Sequence, residues 1–369
     1  MSAYVAPSEL AEIVTVEGDE PPTLVPRSID EAVSGVRSLA DVGATALITG
    51  SESTLKALPR HTVDAQFSSS AYSGIVDYQP DDLTVIVRAG TTIADLDDVL
   101  SNERQTAVLP EMEPLRTVGG VVASGTSGYR RLRYGPTRDR VLGVTLVTGY
   151  GERITAGGAL VKNVTGYDLA RLCAGSHGTL GFVADICLKL WPQQPVSSTI
   201  EVADAEEALA LAFRPLAVLE TPDGVSVMVE GSQARVEAAQ HVLRGVPREG
   251  LAWPVSPSSD VVLSVRVPAS GTATATGIVR DLHPEHFVAQ HGVGLIEVGL
   301  SSFSADDLHM LRTQVRELGG VVVVTRWIGM EAMPDRWGTT PDGLSISSRL
   351  TSLFDPSGVF RVGQIPGGL

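Results

Sequence analysis

Glycines and small hydroxyl side chains crowd one stretch of this sequence, Thr117 to Leu190, in a pattern suited to holding phosphate. The clusters are Gly119-Gly120, Ser124-Gly125-Thr126-Ser127-Gly128, Tyr134-Gly135, Gly157-Gly158, Gly166 and Gly175 to Gly181. A glycine lets the backbone approach a ligand closely and adopt positive φ. Unpaired backbone N–H groups at such turns and at helix starts bind phosphate oxygens. A turn-rich sheet edge is the alternative, although ordinary loops need fewer points of close approach. A shorter pattern lies upstream. The strand-like run Thr45 to Thr49 feeds Gly50-Ser51-Glu52-Ser53-Thr54, which reads either as a phosphate loop or as a plain strand-to-helix turn.

The same residue pattern marks the elements that must position these groups. Ser28 and Glu31 fit a capping box, followed by apolar residues at helical spacing up to a stop at Gly43. Leu83 to Arg88 is a strand, and Thr92 caps a helix from Ile93 to Leu100. Val118 to Ala123 forms a short helix that opens on Gly119 and Gly120. Val141 to Val147 alternates as a strand before a turn at Tyr150-Gly151, Asp168 to Ala174 is a helix, and Thr179 to Leu190 is a long strand. A polar, proline-bearing joint follows at 192–198. Beyond it, strands (198–202, 225–229, 261–267, 294–298, 321–325) alternate with helices (205–213, 233–243, 274–282, 305–318), which suggests a sheet with helices on one face. A last helix spans about 344–353.

Composition bounds the function. The chain has 369 residues, 43% hydrophobic and 19% charged, enough for two domains with cores. A formal charge of −15 gives no general attraction for nucleic acid or anionic lipid. Cys173 and Cys187 lack metal-ligand spacing and sit among apolar neighbours, which suits buried reduced thiols in a cytoplasmic protein. No apolar run reaches the eighteen residues of a membrane span, and the first residues, MSAYVAPSELAEIV, lack the basic start of a signal peptide.

The order of motifs resembles the PCMH-type FAD-binding domain of the vanillyl-alcohol-oxidase superfamily, and within it the FAD-binding subunits of bacterial glycolate oxidases. The matching pieces are Pro26, Ser28 and Glu31; Val87 to Thr91; Thr117 to Ala123; Arg130 to Gly135; Arg138-Asp139; Val161 to Leu169; Gly175 to Gly181; and the tail residues Phe354-Asp355-Pro356 and Gly363. The resemblance implies an α+β chain: an N-terminal arm at 1–25, a two-lobed FAD-binding domain at 26–195, a smaller α+β cap domain at 196–335, and a C-terminal segment, 336–369, that returns to the flavin domain.

It also implies a site. FAD, held without a covalent bond, lies against Gly50, Ser51, Ser53, Thr54, Pro110, Thr117, Gly119, Gly120, Ser124, Gly125, Gly128, Tyr134, Asp139, Gly181 and Val183. The reaction is then hydride removal from a 2-hydroxy acid, which requires a base and a cation for the carboxylate. Arg361, in place of the family's Asn-Pro-Gly tail, and His291 are the candidates; each is equally readable as structural. Arg130 and Arg131 reach substrate or phosphate, or form a solvated pair. His177 caps a turn; Asp139 and Asp168 read as helix caps; Tyr134, Tyr167 and Trp337 read as stacking or core residues. No metal site is expected. The implied partners are a larger flavoprotein subunit and an iron–sulfur subunit, since the chain has no CxxC clusters of its own. A flavin-binding assembly or electron-relay subunit, and a stand-alone flavin oxidase of another substrate, are the alternatives.

Overall fold

The computed structural model describes residues 21–51, 62–158, 168–328, 334–338, 340–361 and 366. The first lobe comprises β1 (Thr23–Leu24), α1 (Ile29–Val42), β2 (Ala46–Thr49) and β3 (Ala65–Ser68), with the strands in a parallel sheet ordered β1-β3-β2. Ser28 caps α1, its hydroxyl accepting from the Glu31 amide at 3.2 Å, and Gly43 ends the helix at φ 68°. The buried stripe Ala32, Val36 and Leu39 packs into a core with Phe67 and Phe182. Each such Val or Leu contributes about 1.5–3 kcal/mol. Thr23–Leu24 falls in the span expected as an arm, yet it pairs with Gln66–Phe67 as a strand.

The second lobe follows: β4 (Ile75–Gln79), β5 (Thr84–Arg88), α2 (Ile93–Ser101), β6 (Gln105–Thr106), α3 (Val118–Ser124), β7 (Val141–Val147), β8 (Arg153–Gly157), α4 (Leu169–Cys173), β9 (Phe182–Lys189) and β10 (Trp191–Pro192). Five strands form an antiparallel sheet ordered β4-β5-β9-β7-β8, and β6 pairs with β10. Its core joins Val85 and Val87 of β5, Leu96 and Leu100 of α2, Val118, Val121 and Val122 of α3, and Ile186 and Leu188 of β9.

The remaining strands make one antiparallel sheet. They are β11 (Val196–Val202), β12 (Ala217–Thr221), β13 (Gly224–Gly231), β14 (Val246–Glu249), β15 (Val261–Arg266), β16 (His286–Gln290), β17 (Leu295–Leu300) and β18 (Val321–Trp327), ordered β14-β11-β13-β12-β16-β17-β15-β18. Alternation assigns the faces. Val227, Val218, Phe287, Ile296 and Val265 point to the side covered by α5 (Ala205–Leu211), α6 (Gln233–Leu243), α7 (Thr272–Asp281) and α8 (Ala305–Glu317). Leu219, Met228 and Val288 point to the other side, where Tyr129 of the second lobe packs. The chain then returns. After α9 (Leu344–Phe354), the Ala46 amide donates to the Val359 carbonyl at 2.6 Å, and Phe360 meets Phe67 edge-on at 6.1 Å.

Candidate functional site

An open cleft with about 90 Å³ of water-accessible space lies between the two lobes. Four stretches line it: Ile48 to Ser51 at the end of β2, Arg116 to Ser124 at the start and along α3, His177 to Val183 leading into β9, and Ser69 with Ala89 at its floor. Of the residues expected at a cofactor, the cleft brings together Gly50, Ser51, Thr117, Gly119, Gly120, Ser124, Gly181 and Val183. The two sequence patterns, about 65 residues apart in the chain by the numbering, meet because the α3 entrance is clamped onto β5. Val118 N–H donates to Thr91 O at 2.9 Å and Gly119 N–H to Ala89 O at 2.8 Å.

Those same bonds correct the expectation that the amides around Gly119 hold a phosphate. The first-turn donors of α3 are occupied, by Thr91 O, by Ala89 O and, for Gly120, by the Thr117 hydroxyl at 3.2 Å. The glycines divide by cause. A Cβ at Gly119 would stand 2.6 Å from Ala89 Cβ, one at Gly181 2.3 Å from Val147 O, and one at Gly50 2.4 Å from Thr117 Oγ1. They are glycine because protein approaches them. A Cβ at Gly120 meets only Thr117 Oγ1, at 3.0 Å, and a longer side chain there fills the cleft. Small residues keep its walls close, and Ser51, Ser69, Thr117 and Ser124 are among the residues that line it. Among the described residues its hydroxyl donors come from these side chains. Residues Glu52, Ser53 and Thr54 lie outside the described residues, as do Tyr167 and the Lys162–Gly166 motif.

Several expected residues lie elsewhere, each for a visible reason. Pro110 is buried, and Gly128 is forced by it, since a Cβ would stand 2.8 Å from Pro110 Cα. The Glu111 carboxylate beside them accepts from Tyr129 N at 2.7 Å and pairs with Arg130 Nε at 2.5 Å, so Arg130 is a structural cation. Gly125 ends α3 in the left-handed region at φ 66°. Tyr134 turns to the cap, its hydroxyl donating to Glu230 at 2.5 Å. Asp139 faces Arg171 and Arg138 at 3.8 and 3.9 Å on the surface, and Asp168 caps α4. Arg361 is exposed and reaches Ser352 Oγ at 3.3 Å. His291 is on the helix-covered face of the cap sheet, where its Nε2 meets Glu220 at 2.7 Å and Glu220 also pairs with Arg280. That face is turned away from the cleft.

Sequence reasoning missed a charged group that lines the cleft. Arg116 lines it and donates to Ser124 Oγ and Thr126 Oγ1, both at 2.8 Å, while pairing with Glu113 at 2.7 Å. Its proximity to the Thr117 motif was the only signal. Arg266 and Glu297 lie on neighbouring strands of the cap sheet, on the face away from the helices. Burial lowers the Arg266 pKa, and burial together with Glu113 raises that of Glu297 against the pull of Arg266 and Arg116. Burial and the repulsion of Arg336, Arg266 and Arg116 push His177 down to about 4. Among the described residues no three His, Cys, Asp or Glu side chains gather as for a metal, and no helix is long and apolar enough to cross a membrane.

Residues 22–157 match the FAD binding domain family. The chain is 33% identical over 192 residues to "Glycolate oxidase subunit GlcE" of Escherichia coli (strain K12), a match covering 49% of this chain and 55% of that subunit. It is 37% identical over 131 residues to "D-2-hydroxyglutarate dehydrogenase" of Xanthomonas citri pv. viticola, covering 35% and 27%. The matches thus span about half or less of the length of these curated relatives. A solved alkyldihydroxyacetonephosphate synthase shares the fold at a TM-score of 0.63 and 13% identity, over 93% of this chain and 77% of that one. Residues 22–157 therefore match an FAD binding domain, in line with the PCMH-type resemblance of the motifs.

Proposed function

We propose that this chain is an FAD-linked oxidoreductase subunit of the glycolate or 2-hydroxy-acid dehydrogenase type, working with a larger flavoprotein subunit and an iron–sulfur subunit. In this reading residues 26–195 hold FAD without a covalent bond, 196–335 cap it, and 336–369 fasten the return to the first lobe. A cytoplasmic location belongs to the same reading, and the buried thiols of Cys173 and Cys187 suit it. The observation that carries it is the inter-lobe cleft lined by Gly50, Thr117, Gly120, Gly181 and Val183, within a chain whose residues 22–157 match an FAD binding domain. Bound FAD supplies hydride acceptance. The chain's own residues shape the cleft: Gly120 leaves room, and Thr117 and Ser124 offer hydroxyls.

The test is spectroscopic. The purified chain is expected to be yellow, or to become so with added FAD, and to bleach when glycolate or D-lactate is added without oxygen. A yellow chain that keeps its colour with both acids sinks substrate oxidation by this subunit and leaves a flavin-binding relay. A chain that takes up no FAD sinks the whole reading.

A further inference from the structure

Three apolar side chains on separate elements of the cap line one open groove and stay exposed there. Leu211 ends α5 and is 45% exposed, Val242 lies in the last turn of α6 and is 43% exposed, and Val246 starts β14 and is 63% exposed. The groove holds about 970 Å³ of water-accessible space, between the two helices, the end of β11 and the β12–β13 turn. Ala208, Val225 and Leu243 also line it, and they belong to the core under α5 and α6. β14 is the last strand of the sheet order, and all four of its residues are exposed, so no described strand covers this edge. Single exposed apolar residues are ordinary on a surface, whereas a set that converges on a cavity marks a binding face.

The charges around the groove are mostly of one sign. Four carboxylates line it, Glu201, Asp204, Glu207 and Asp223, against one arginine, Arg244, and the exposed His241. Glu201 is answered by Arg248 at 2.5 Å. Asp204 caps α5 by accepting from the Glu207 amide at 2.7 Å. Among the described residues Asp204, Glu207 and Asp223 form no ion pair.

Apolar side chains interleaved with unmatched carboxylates complement an amphipathic helix that carries leucine-type residues on one face and lysine or arginine beside them. A second copy of this chain is disfavoured, because a self-complementary contact sets the same carboxylates against each other. The groove shares no lining residue with the inter-lobe cleft, so its occupant and a cleft ligand use different residues. We propose that this groove docks a basic amphipathic helix of a partner protein. The inference stands apart from the flavin reading and holds whatever the cleft binds.

The experiment is fluorescence anisotropy. The full chain is titrated into a labelled peptide of about 18 residues with leucine and lysine at helical spacing, and into a leucine–glutamate peptide of the same pattern. The lysine peptide is expected to bind, about tenfold more weakly at about 300 mM than at about 50 mM salt, and the glutamate peptide is expected not to bind. Glu207→Lys with Asp223→Lys is expected to weaken the lysine peptide by about tenfold or more. Asp41→Lys with Asp98→Lys, at exposed positions on α1 and α2, changes the net charge equally and is expected to weaken it by less than about twofold. Val242→Gln, which keeps the charge, is expected to cost about threefold or more. Circular dichroism reports folding, and if the groove lysine pair unfolds the chain, Glu207→Gln with Asp223→Asn replaces it. A wild-type chain that does not bind the lysine peptide, equal binding of the two peptides, or equal loss in the groove and control pairs overturns the proposal. A wild-type chain that sediments as a dimer, and as a monomer after Val242→Gln, gives the groove to a second copy and overturns it as well.

Discussion

The Gly119 amide donates to the Ala89 carbonyl at 2.8 Å, and the two residues are so close that a Cβ at 119 would stand 2.6 Å from Ala89 Cβ. Adjacent glycines in one motif therefore have different duties. Gly119→Ala forces α3 off β5, at a cost of about 1–3 kcal/mol by the usual scale of overpacking. Gly120→Leu projects into the cleft and is expected to remove most bound FAD while changing unfolding free energy by less than about 1 kcal/mol. Urea melts and the flavin-to-protein absorbance ratio separate the two. If Gly120→Leu retains wild-type flavin, the cofactor does not pass that wall.

The lobes were legible because local chemistry agreed with the fold. Ser28, Thr92, Thr117 and Asp168 all cap the helices that the sequence assigned to them or borders. Missed strands such as β3, β4, β12 and β16 lacked such punctuation; β4, for example, is IVDYQ, largely solvent-facing with no alternation to betray it. The glycine motifs pointed to the right cleft, but not to the reason for each glycine, since Ala89, Val147 and Thr117 approach from distant parts of the chain. Arg266, Glu297 and Arg336 carry no motif at all. Strand pairing alone brings Glu297 opposite Ser264, two residues from Arg266.

The C-terminal return hangs on one carboxylate. Asp355 is fully buried and accepts from Val359 N at 2.9 Å and Phe360 N at 2.8 Å, holding Phe360 in the first-lobe core. Gly149 is glycine to admit it, since a Cβ there would stand 1.9 Å from Asp355 Oδ1. Asp355→Ala leaves two buried amides unpaired and is expected to destabilise the chain by about 3 kcal/mol. A loss below about 1 kcal/mol in a denaturant melt would show that the return contributes little.

His291 offers a contrast between a structural and a catalytic residue. Buried with Glu220 and remote from the cleft, it satisfies a carboxylate that Arg280 reaches from α7. His291→Ala strands part of that buried carboxylate and is expected to lower stability by about 2–4 kcal/mol. Flavin content and glycolate affinity, measured well below the melting temperature, stay at wild-type levels. A variant of normal stability that no longer binds glycolate would return His291 to the site.

His177 gives the chain an acid sensitivity whose sign follows from its surroundings. Burial and three arginines hold its folded pKa at about 4, below the ordinary 6.5. Between those values the unfolded chain takes up a proton that the folded chain refuses. Its contribution to stability is therefore complete above about pH 6.5, declines as pH falls, and is exhausted near pH 4. The slope approaches about 1.4 kcal/mol per pH unit in the middle of the window. Carboxylates titrate over part of the same range, so the informative quantity is the difference between wild type and His177→Asn. That difference is expected to slope between pH 6.5 and 4 and to be level from pH 7 to 8; a level difference throughout would mean that the ring is solvated and the arginines do not face it.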